Sequence, residues 1–417
     1  MLRYRREKVN RSKFAFDELQ PVTIHFDGSI SKRHVEPGRA YTMDLFHARG
    51  GDLVVAKIDL KNGAVAVVPS DWSNVVTTGH FAAFEPDRRR LEPEYLRRII
   101  QAPFFKDHLW RNKVGAEGRK EVKLDFFLSL PIPLPPVATQ RAIVAYSRDA
   151  RAACDEAHAA ADRLLRDAQA AFLASLGLGL PDETHRPKVM VARWQQVERW
   201  GVAYNQAVRG GLDLHASRFE VETLGELLTA MQYGTSTKAN TNGQGVPVLR
   251  MPNIKDGVID FTDLKHVVLR KSEESSLLLG DGDILINRTN SKELVGKCAV
   301  FHDTGRYVFA SYLIRLQADA KKANPDYLAA VINGPLGRQQ IDALSRQAIG
   351  QANINSQEIR SLMVPLPPLD VQQELVRLLS DARTRADAIR ADAQQRHDQA
   401  MQEVDAMILG TMPVPKA

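Results

Sequence analysis

The segment 287–292 concentrates side chains that suit contact with nucleic acid. It reads Asn-Arg-Thr-Asn-Ser-Lys, so amide, guanidinium, hydroxyl and ammonium groups lie within one short stretch. Such groups can read base edges and hold phosphates when a rigid scaffold projects them from a loop. The segment follows a strand-like apolar run, and an ordinary polar hairpin loop would have the same composition. Its candidate DNA contacts are Asn287, Arg288, Thr289, Asn290 and Lys292.

Two further polar segments in the second half of the chain offer similar groups. In the segment 233–238, a tyrosine could stack on a base or pack, and a lysine could meet a phosphate. In the segment 346–355, a glycine would allow close backbone approach. Both segments could equally be ordinary surface loops. Their candidate DNA contacts are Tyr233, Thr235, Lys238, Gln347, Gln351 and Asn353.

The first half of the chain holds corresponding candidates. The residues between 57 and 62 follow an apolar run, as the segment 287–292 does, and the residues between 113 and 120 add positive charge. The run Arg88–Arg90 and the basic N-terminus could contact phosphates, although such charge runs are more often solvated. The candidate DNA contacts of this half are Lys57, Lys61, Asn62, Lys113, Arg119 and Lys120.

Catalytic motifs are absent from the sequence. It has no Gly-x-x-x-x-Gly-Lys phosphate loop, no Asn/Asp-Pro-Pro-Tyr/Phe motif of adenine methylation and no strand-borne Gly-x-Gly-x-x-Gly. The segment 181–183, Pro-Asp-Glu, hints at a nuclease carboxylate pair but has no Glu-x-Lys partner. The eleven histidines show no metal-ligand spacing, and Cys154 and Cys298 are too few for a zinc site or a disulfide framework. We therefore expect a non-catalytic chain that binds no metal or cofactor itself.

The composition is compatible with a folded protein that binds nucleic acid. The 417 residues are 44% hydrophobic and 25% charged, enough for two or three domain cores. The net charge of +6 and the pI of about 9.2 suit a polyanionic partner, but many proteins with such a pI bind none. Because no apolar run approaches about 20 residues and no signal peptide is evident, we expect a soluble cytoplasmic protein without membrane contact.

An internal repeat organises the chain. The segment Ile-Pro-Leu-Pro-Pro-Val at 132–137 returns as Val-Pro-Leu-Pro-Pro-Leu at 364–369. The same offset relates 93–96 to 325–328 and Gln140 to Gln372, and an offset shorter by one relates 51–55 to 282–286. Several unrelated anchors in one register indicate two copies of one unit.

Each copy combines short strands with helices. The runs 53–58, 64–68, 246–251, 283–287 and 307–315 have the β-branched and aromatic content of strands, whereas 94–109 and 326–344 are predicted to be short helices. We therefore predict mixed α/β domains of the α+β type. A Pro-rich hinge ends each domain, because proline cannot lie inside a helix.

A long amphipathic helix follows each hinge. Apolar residues recur every three or four positions, which predicts one buried stripe along each helix of about 40 residues. Since small alanines permit close approach, we expect the two helices to pair as an antiparallel coiled coil. The predicted stripes are Ile143, Tyr146, Ala150, Ala153, Ala157, Ala160, Leu164, Ala168 and Phe172, and Val371, Leu375, Leu378, Ala382, Ala386, Ile389, Ala393, His397, Ala400, Val404 and Ile408.

This arrangement resembles the specificity subunit of type I restriction-modification enzymes. The second copy carries the resemblance in five segments that keep the family's order and precede the hinge: 224–227, 245–250, 253–257, 282–286 and 351–355. The first copy lacks a clear Leu-Gly-Glu-Leu opening, for which Asp17-Glu18-Leu19 is the nearest candidate. The resemblance implies target-recognition domains at 1–136 and 218–368, spacer helices at 137–177 and 369–410, and a linker at 178–217.

The resemblance also implies a function. In that family the subunit has no catalysis of its own, and each target-recognition domain reads one half of a split sequence in double-stranded DNA. The paired helices hold the halves apart and dock methyltransferase subunits, expected to be two, while a restriction and motor subunit joins them. S-adenosylmethionine, ATP and magnesium are then expected on the partner subunits.

Two other functions stay open on the residues alone. A helical scaffold whose globular ends bind protein or RNA would show neither steep salt dependence nor discrimination between DNA sequences. A self-contained restriction enzyme would need the catalytic motifs that the sequence lacks.

Overall fold

The chain divides into two compact units. The computed structural model describes residues 1–10, 13–14, 18–34, 43–112, 122–179, 212, 214–348 and 351–415. The first unit comprises Met1–Ala159 and Ile389–Ala417, and the second comprises Ala160–Ala388. Both unit boundaries fall inside long helices, so each unit contains one part of each helix.

The first unit holds two sheets and a layer of helices. One sheet has the order β1-β8-β5-β6 and is antiparallel throughout, and the other has the order β3-β2-β7-β4 with β2 and β7 parallel. The elements are β1 (Leu2–Arg5), β2 (Gln20–Ile24), β3 (Ile30–Lys32), β4 (Leu45–His47), β5 (Leu53–Ala56), β6 (Val65–Val67), β7 (Val75–Thr78), β8 (Phe81–Pro86), α1 (Pro93–Gln101), α2 (Pro103–Arg111), α3 (Leu124–Ser129) and the start of α4 (Val137–Ser175).

Strand β5 is buried on both faces. Leu53 and Val55 join the core under α1, whereas Val54 and Ala56 join the core shared with the second sheet. This alternation follows from the two-residue period of a strand. It explains why the sequence of β5 is uniformly apolar rather than alternating.

The second unit repeats this arrangement. Its sheet β10-β19-β15-β17 has the order and pairing of β1-β8-β5-β6, and its sheet β14-β11-β18 has one antiparallel and one parallel contact, as β3-β2-β7 does. The elements are β9 (Val221–Thr223), β10 (Leu228–Tyr233), β11 (Val246–Leu249), β12 (Ile254–Lys255), β13 (Val258–Ile259), β14 (Lys265–Val267), α5 (Lys271–Leu277), β15 (Ile284–Asn287), β16 (Thr289–Asn290), β17 (Cys298–Val300), β18 (Val308–Phe309), β19 (Leu313–Ala318), α6 (Pro325–Asn333), α7 (Pro335–Leu344), β20 (Arg346–Ala348), β21 (Gln351–Asn353), α8 (Ser356–Arg360), β22 (Met363–Pro365) and α9 (Leu369–Leu409).

The two hinges are held by matching hydrogen bonds. The Gln140 amide accepts from the Glu92 backbone N–H at 2.8 Å and donates to the carbonyls of Arg90 and Pro135. Gln372, its counterpart at the repeat offset, accepts from Asn324 at 2.8 Å and donates to the carbonyls at 322 and 367. Both glutamines are fully buried, so the repeat extends to individual polar contacts.

Two buried tyrosines repeat the same correspondence. The Tyr95 hydroxyl donates to the Pro133 carbonyl at 3.2 Å, and the Tyr327 hydroxyl donates to the Pro365 carbonyl at 2.6 Å. Burial raises the pKa of Tyr95 to about 12 and also raises the pKa of Tyr327, so both phenols stay protonated donors.

The long helices pack against each other within each unit. In the first unit, Ile143 near the start of α4 shares a core with Val404 and Ile408 near the end of α9. In the second unit, Phe172 near the end of α4 shares a core with Leu375 near the start of α9. Early residues of one helix thus meet late residues of the other, which is the predicted antiparallel pairing.

The buried stripes differ in detail from those predicted. Ala153 and Leu378 are exposed, and Cys154 is buried instead of its neighbour. Buried residues recur every seven positions, at 147, 154, 161 and 168 in α4 and at 386, 393, 400 and 407 in α9. Paired helices keep this 3.5-residue period because they supercoil, whereas the prediction stepped along a straight helix.

Three other predictions needed refinement. Each segment predicted to be helical contains two helices, because Pro103 and Pro335 lack the amide hydrogen that would continue the first one. The run 307–315 forms parts of β18 and β19 rather than one strand. Strand β1 occupies in the first sheet the position that β10 occupies in the second. The Leu-Gly-Glu-Leu opening, Leu224–Leu227, directly precedes β10, so its counterpart would have to precede β1. Glu18-Leu19 follows β1 and is therefore not that counterpart.

Candidate DNA-recognition interface

The central sheet of the second unit brings two predicted segments to one edge. Strand β19 lies between β10 and β15, with Tyr233 opposite Ile314 and Asn287 opposite Leu313. Tyr233 and Arg288 therefore lie at the same end of the sheet, on either side of β19. The guanidinium carbon of Arg288 is 5.1 Å from the centroid of the Tyr233 ring, a cation–π contact.

Both peptide groups of Arg288 are fixed. Its backbone N–H donates to the Tyr312 carbonyl at 3.0 Å, and its carbonyl accepts from the Ile354 backbone N–H at 2.9 Å. Tyr233 and Tyr312 are 41% and 54% exposed, so this edge presents aromatic residues to solvent. Within the described part of the chain, the buried Nε of Arg288 has no hydrogen-bond partner.

Residues after Arg288 are tied to a second predicted segment. Strand β16 pairs with β21, and the Thr289 hydroxyl donates to Oδ1 of Asn353 at 2.6 Å. Oδ1 of Asn290 accepts from the backbone N–H of Ser291 at 2.9 Å. The structure therefore joins the segments 287–292 and 351–353 at the same sheet edge as Tyr233.

Not every predicted residue of this unit faces solvent. Asn287 is 1% exposed, and Thr235 is buried with its hydroxyl donating to Glu273 at 2.9 Å. Lys238 is exposed, and the Lys292 carbonyl accepts from Arg338 at 3.3 Å. For Gln347 and Gln351, the structure describes only the backbone, in the β20–β21 pair.

The first unit holds Lys57 in the same backbone frame as Arg288. The Lys57 N–H donates to the His80 carbonyl at 3.0 Å, and its carbonyl accepts from the Val122 N–H at 3.2 Å. His80 and Val122 correspond to Tyr312 and Ile354 at the repeat offset. The side chain differs, however, because the Lys57 ammonium donates to the Gly79 carbonyl at 2.7 Å.

Two other candidate residues of the first unit form hydrogen bonds within the turn that contains them. The Lys61 ammonium donates to the Ile58 carbonyl at 2.5 Å, and the Asn62 amide donates to Asp59 at 3.1 Å. Lys113, Arg119 and Lys120 lie outside the described residues.

Sequence reasoning did not place three exposed residues at these edges, although one of them, Arg6, belongs to the basic N-terminus considered above. Tyr312 was overlooked because it lies inside a run interpreted as one strand. His80 corresponds to it at the repeat offset, which was a usable signal. Arg6 takes the place of Tyr233, since Arg5 pairs with Ala83 as Gln232 pairs with Arg315; only the strand register reveals this.

A buried ion pair supports the sheet in each unit. Asp52 accepts from Arg5 of β1 at 2.7 Å, and Asp283 accepts from Arg315 of β19 at 3.3 Å. Arg315 also contacts the Gln232 side chain. Asp52 directly precedes β5 and Asp283 directly precedes β15, which are corresponding strands of the two sheets.

The described residues give no sign of a metal centre or a membrane span. Among them, no group of three or more His, Cys, Asp or Glu side chains is placed to hold a metal ion. No helix in the same ranges combines the length and apolar character needed to cross a bilayer.

Comparison with known proteins finds a family match in the second half of the chain. The type I restriction modification DNA specificity domain matches residues 216–395, a range that includes most of the second unit and its sheet edge. This part of the chain belongs to that family. The recognition made from the repeated hinges and the ordered segments is thereby confirmed.

Individual relatives agree with this assignment. The type I restriction enzyme EcoKI specificity subunit of Escherichia coli (strain K12) is 28% identical over 307 residues, which are 69% of this chain and 59% of that protein. The putative type I restriction enzyme MjaX specificity subunit of Methanocaldococcus jannaschii is 30% identical over 165 residues, 39% of each protein. The chain thus spans less than two thirds of the length of either relative.

A solved structure agrees in fold. A chain from the structural study of complex assembly and conformational transition of the type I R-M system aligns with a TM-score of 0.58 and 17% identity, over 98% of this chain and 96% of that one. The mixed α/β fold with two long helices, which was predicted from the sequence, is confirmed.

Proposed function

We propose that this chain is the DNA-reading subunit of a type I restriction-modification system and catalyses no reaction itself. The observation that carries the proposal is the repeated frame at the sheet edge, which holds Arg288 in one unit and Lys57 in the other by the same two backbone hydrogen bonds. One frame with two sets of side chains suits a target with two different halves. Cations supply phosphate affinity, and rigidly held polar groups supply base discrimination.

The partners follow from the same proposal. Double-stranded DNA is the ligand, and methyltransferase subunits, two by the repeat symmetry, dock on the paired helices, with a restriction and motor subunit joining them. S-adenosylmethionine, ATP and magnesium belong to those subunits rather than to this chain. The EcoKI relative is itself a specificity subunit of a type I restriction enzyme.

The helices would set the gap between the two halves of the target. Helix α4 has 39 residues and α9 has 41, and both keep a seven-residue repeat of buried positions. Removing one heptad from each shortens the pair by about 10 Å, or roughly three base pairs. The preferred gap should shorten accordingly, and an unchanged gap would contradict the spacer role.

Selection from a random duplex library tests the function. The full chain, in complex with its methyltransferase partner, should enrich a motif of two specified blocks with a fixed unspecified gap. Binding should weaken steeply as salt rises, because several phosphates are neutralised. A helical scaffold for protein or RNA would enrich no motif and show little salt dependence, and that result would overturn the proposal.

A further inference from the structure

We propose that Arg288 is the residue that reads a guanine in the half-site bound by the second unit. The inference rests on the proposed function and adds to it the base identity and the side chain responsible. Guanine presents two acceptors, O6 and N7, in the major groove, and one guanidinium can donate to both at once.

The side chain is held ready for such a contact. Its backbone is hydrogen bonded on both sides, to Tyr312 and Ile354, and its guanidinium lies against the Tyr233 ring. A planar donor that is already oriented loses less conformational entropy on binding than a free one. Tyr233 is therefore a positioning residue for Arg288.

Arg288 also lacks the internal partners that hold other arginines of this unit. Among the described residues, its Nε has no hydrogen-bond partner, and its guanidinium carbon lies 5.1 Å from the centroid of the Tyr233 ring. By contrast, six arginines of the unit donate to carboxylate or carbonyl oxygens: Arg250, Arg306, Arg315, Arg338, Arg377 and Arg383. Arg288 thus keeps the donors at its outer end for a ligand.

Base reading explains this arrangement better than phosphate contact does. A phosphate accepts a flexible point charge, for which the exposed Lys238 suffices. A base edge requires a donor pair held in one orientation. The cation–π contact with Tyr233 restrains the guanidinium, and the hydrogen bond between Thr289 and Asn353 restrains the neighbouring backbone. The guanidinium fork therefore matters as well as the charge.

The test compares four variants of the full chain, each bound to its methyltransferase partner, by selection from a duplex library randomised across both half-sites. Arg288→Ala removes the contact, and Arg288→Lys keeps the charge but loses the fork. Lys238→Ala removes the expected phosphate contact. Arg306→Lys is the matched control, since Arg306 is 72% exposed and paired with Glu274. Circular dichroism verifies that each variant is folded.

Arg288→Ala should lose preference for guanine at one position by about tenfold to a hundredfold, while the other positions stay specified. Arg288→Lys should lose a smaller part of that preference, because an ammonium can donate to guanine but lacks the planar fork. Lys238→Ala should weaken all sequences alike, and Arg306→Lys should leave the motif intact. If Arg288→Lys retains the full guanine preference, or if the Arg288 variants weaken all positions equally, the inference is overturned while the proposed function stands. If the unaltered chain enriches no motif, the proposed function itself fails.

Discussion

The sheet edges of the two units share a backbone frame and differ in their side chains. Arg288 and Lys57 are each hydrogen bonded to the corresponding carbonyl and N–H groups. Around Arg288 lie Tyr233 and Tyr312, whereas the corresponding positions around Lys57 are Arg6 and His80. The comparison shows that the fold fixes the backbone at this position, while the side chains placed there differ between the units.

The buried ion pairs make the same point inside the domains. In the first unit the arginine comes from β1 and faces Ala83 across the strands; in the second it comes from β19 and faces Gln232. Each aspartate keeps an arginine, but neighbouring strands supply it. The requirement is therefore the buried charge pair, since an unpaired buried carboxylate is strongly destabilising.

The largest expected effect comes from breaking this pair. Arg315→Ala should destabilise the second unit by about 3 kcal/mol, because Asp283 would remain buried without its cation. Adding Gln232→Arg should restore a large part of that loss, since it places the arginine as Arg5 is placed in the first unit. Hydrogen exchange of β15 and β19 measures both effects. No recovery in the double variant would refute the equivalence of the strands.

The hinge glutamines should give the next largest effect. Gln372→Ala leaves one N–H and two carbonyls without their buried partner and should cost about 2 kcal/mol. Gln140→Ala should cost the same in the first unit, because its three hydrogen bonds correspond. Hydrogen exchange around each hinge checks both values. If only one of the two substitutions lowers stability, the two hinges are not equivalent.

A graft of the second edge onto the first should have a smaller effect on DNA preference. The triple variant Arg6→Tyr, Lys57→Arg and His80→Tyr builds the Arg288 environment in the first unit. It should introduce a guanine preference of about 1 kcal/mol in that half-site, at the low end for an arginine–guanine contact. Library selection reads this out, with Lys57→Arg alone as control. If the graft leaves that half-site unaltered, the frames are not functionally equivalent.

The smallest effect concerns His302, between Asp281 and Asp326 at 2.7 and 3.0 Å. Burial acts to lower its pKa, but the hydrogen bonds to Asp326 and Asp281 outweigh it and raise the pKa. Its stabilisation is therefore fully present below the ordinary imidazole pKa of about 6.5 and is lost as the pH rises through the folded-state pKa.

Replacement tests this sign. His302→Asn should lower the stability of the second unit by about 0.5 kcal/mol at pH 5.5, as for an exposed ion pair, and by less at pH 8.5. Urea unfolding at the two pH values measures the difference. A larger loss at pH 8.5 would contradict the assignment. In the first unit the corresponding strand is followed by Val68-Pro69-Ser70, which has no histidine.

Much of the fold could be predicted because its signals are local or repeated. Proline hinges, apolar residues spaced three and four apart and the constant offset between the two copies located both helices to within a residue or two of their ends. The segment 287–292 was found because its polar groups are contiguous. Arg6 and Tyr312 were missed because only cross-strand register brings them beside the cation, and register depends on long-range pairing.

The most direct test of the account maps methylated adenines at base resolution in a methylation-free host that expresses this chain with its methyltransferase partner. We expect a two-part motif with a fixed gap, in which Arg288→Ala relaxes one half and Lys57→Ala alters only the other. A single uninterrupted motif, or both variants changing the same half, would contradict the claim that each unit reads its own half of the target.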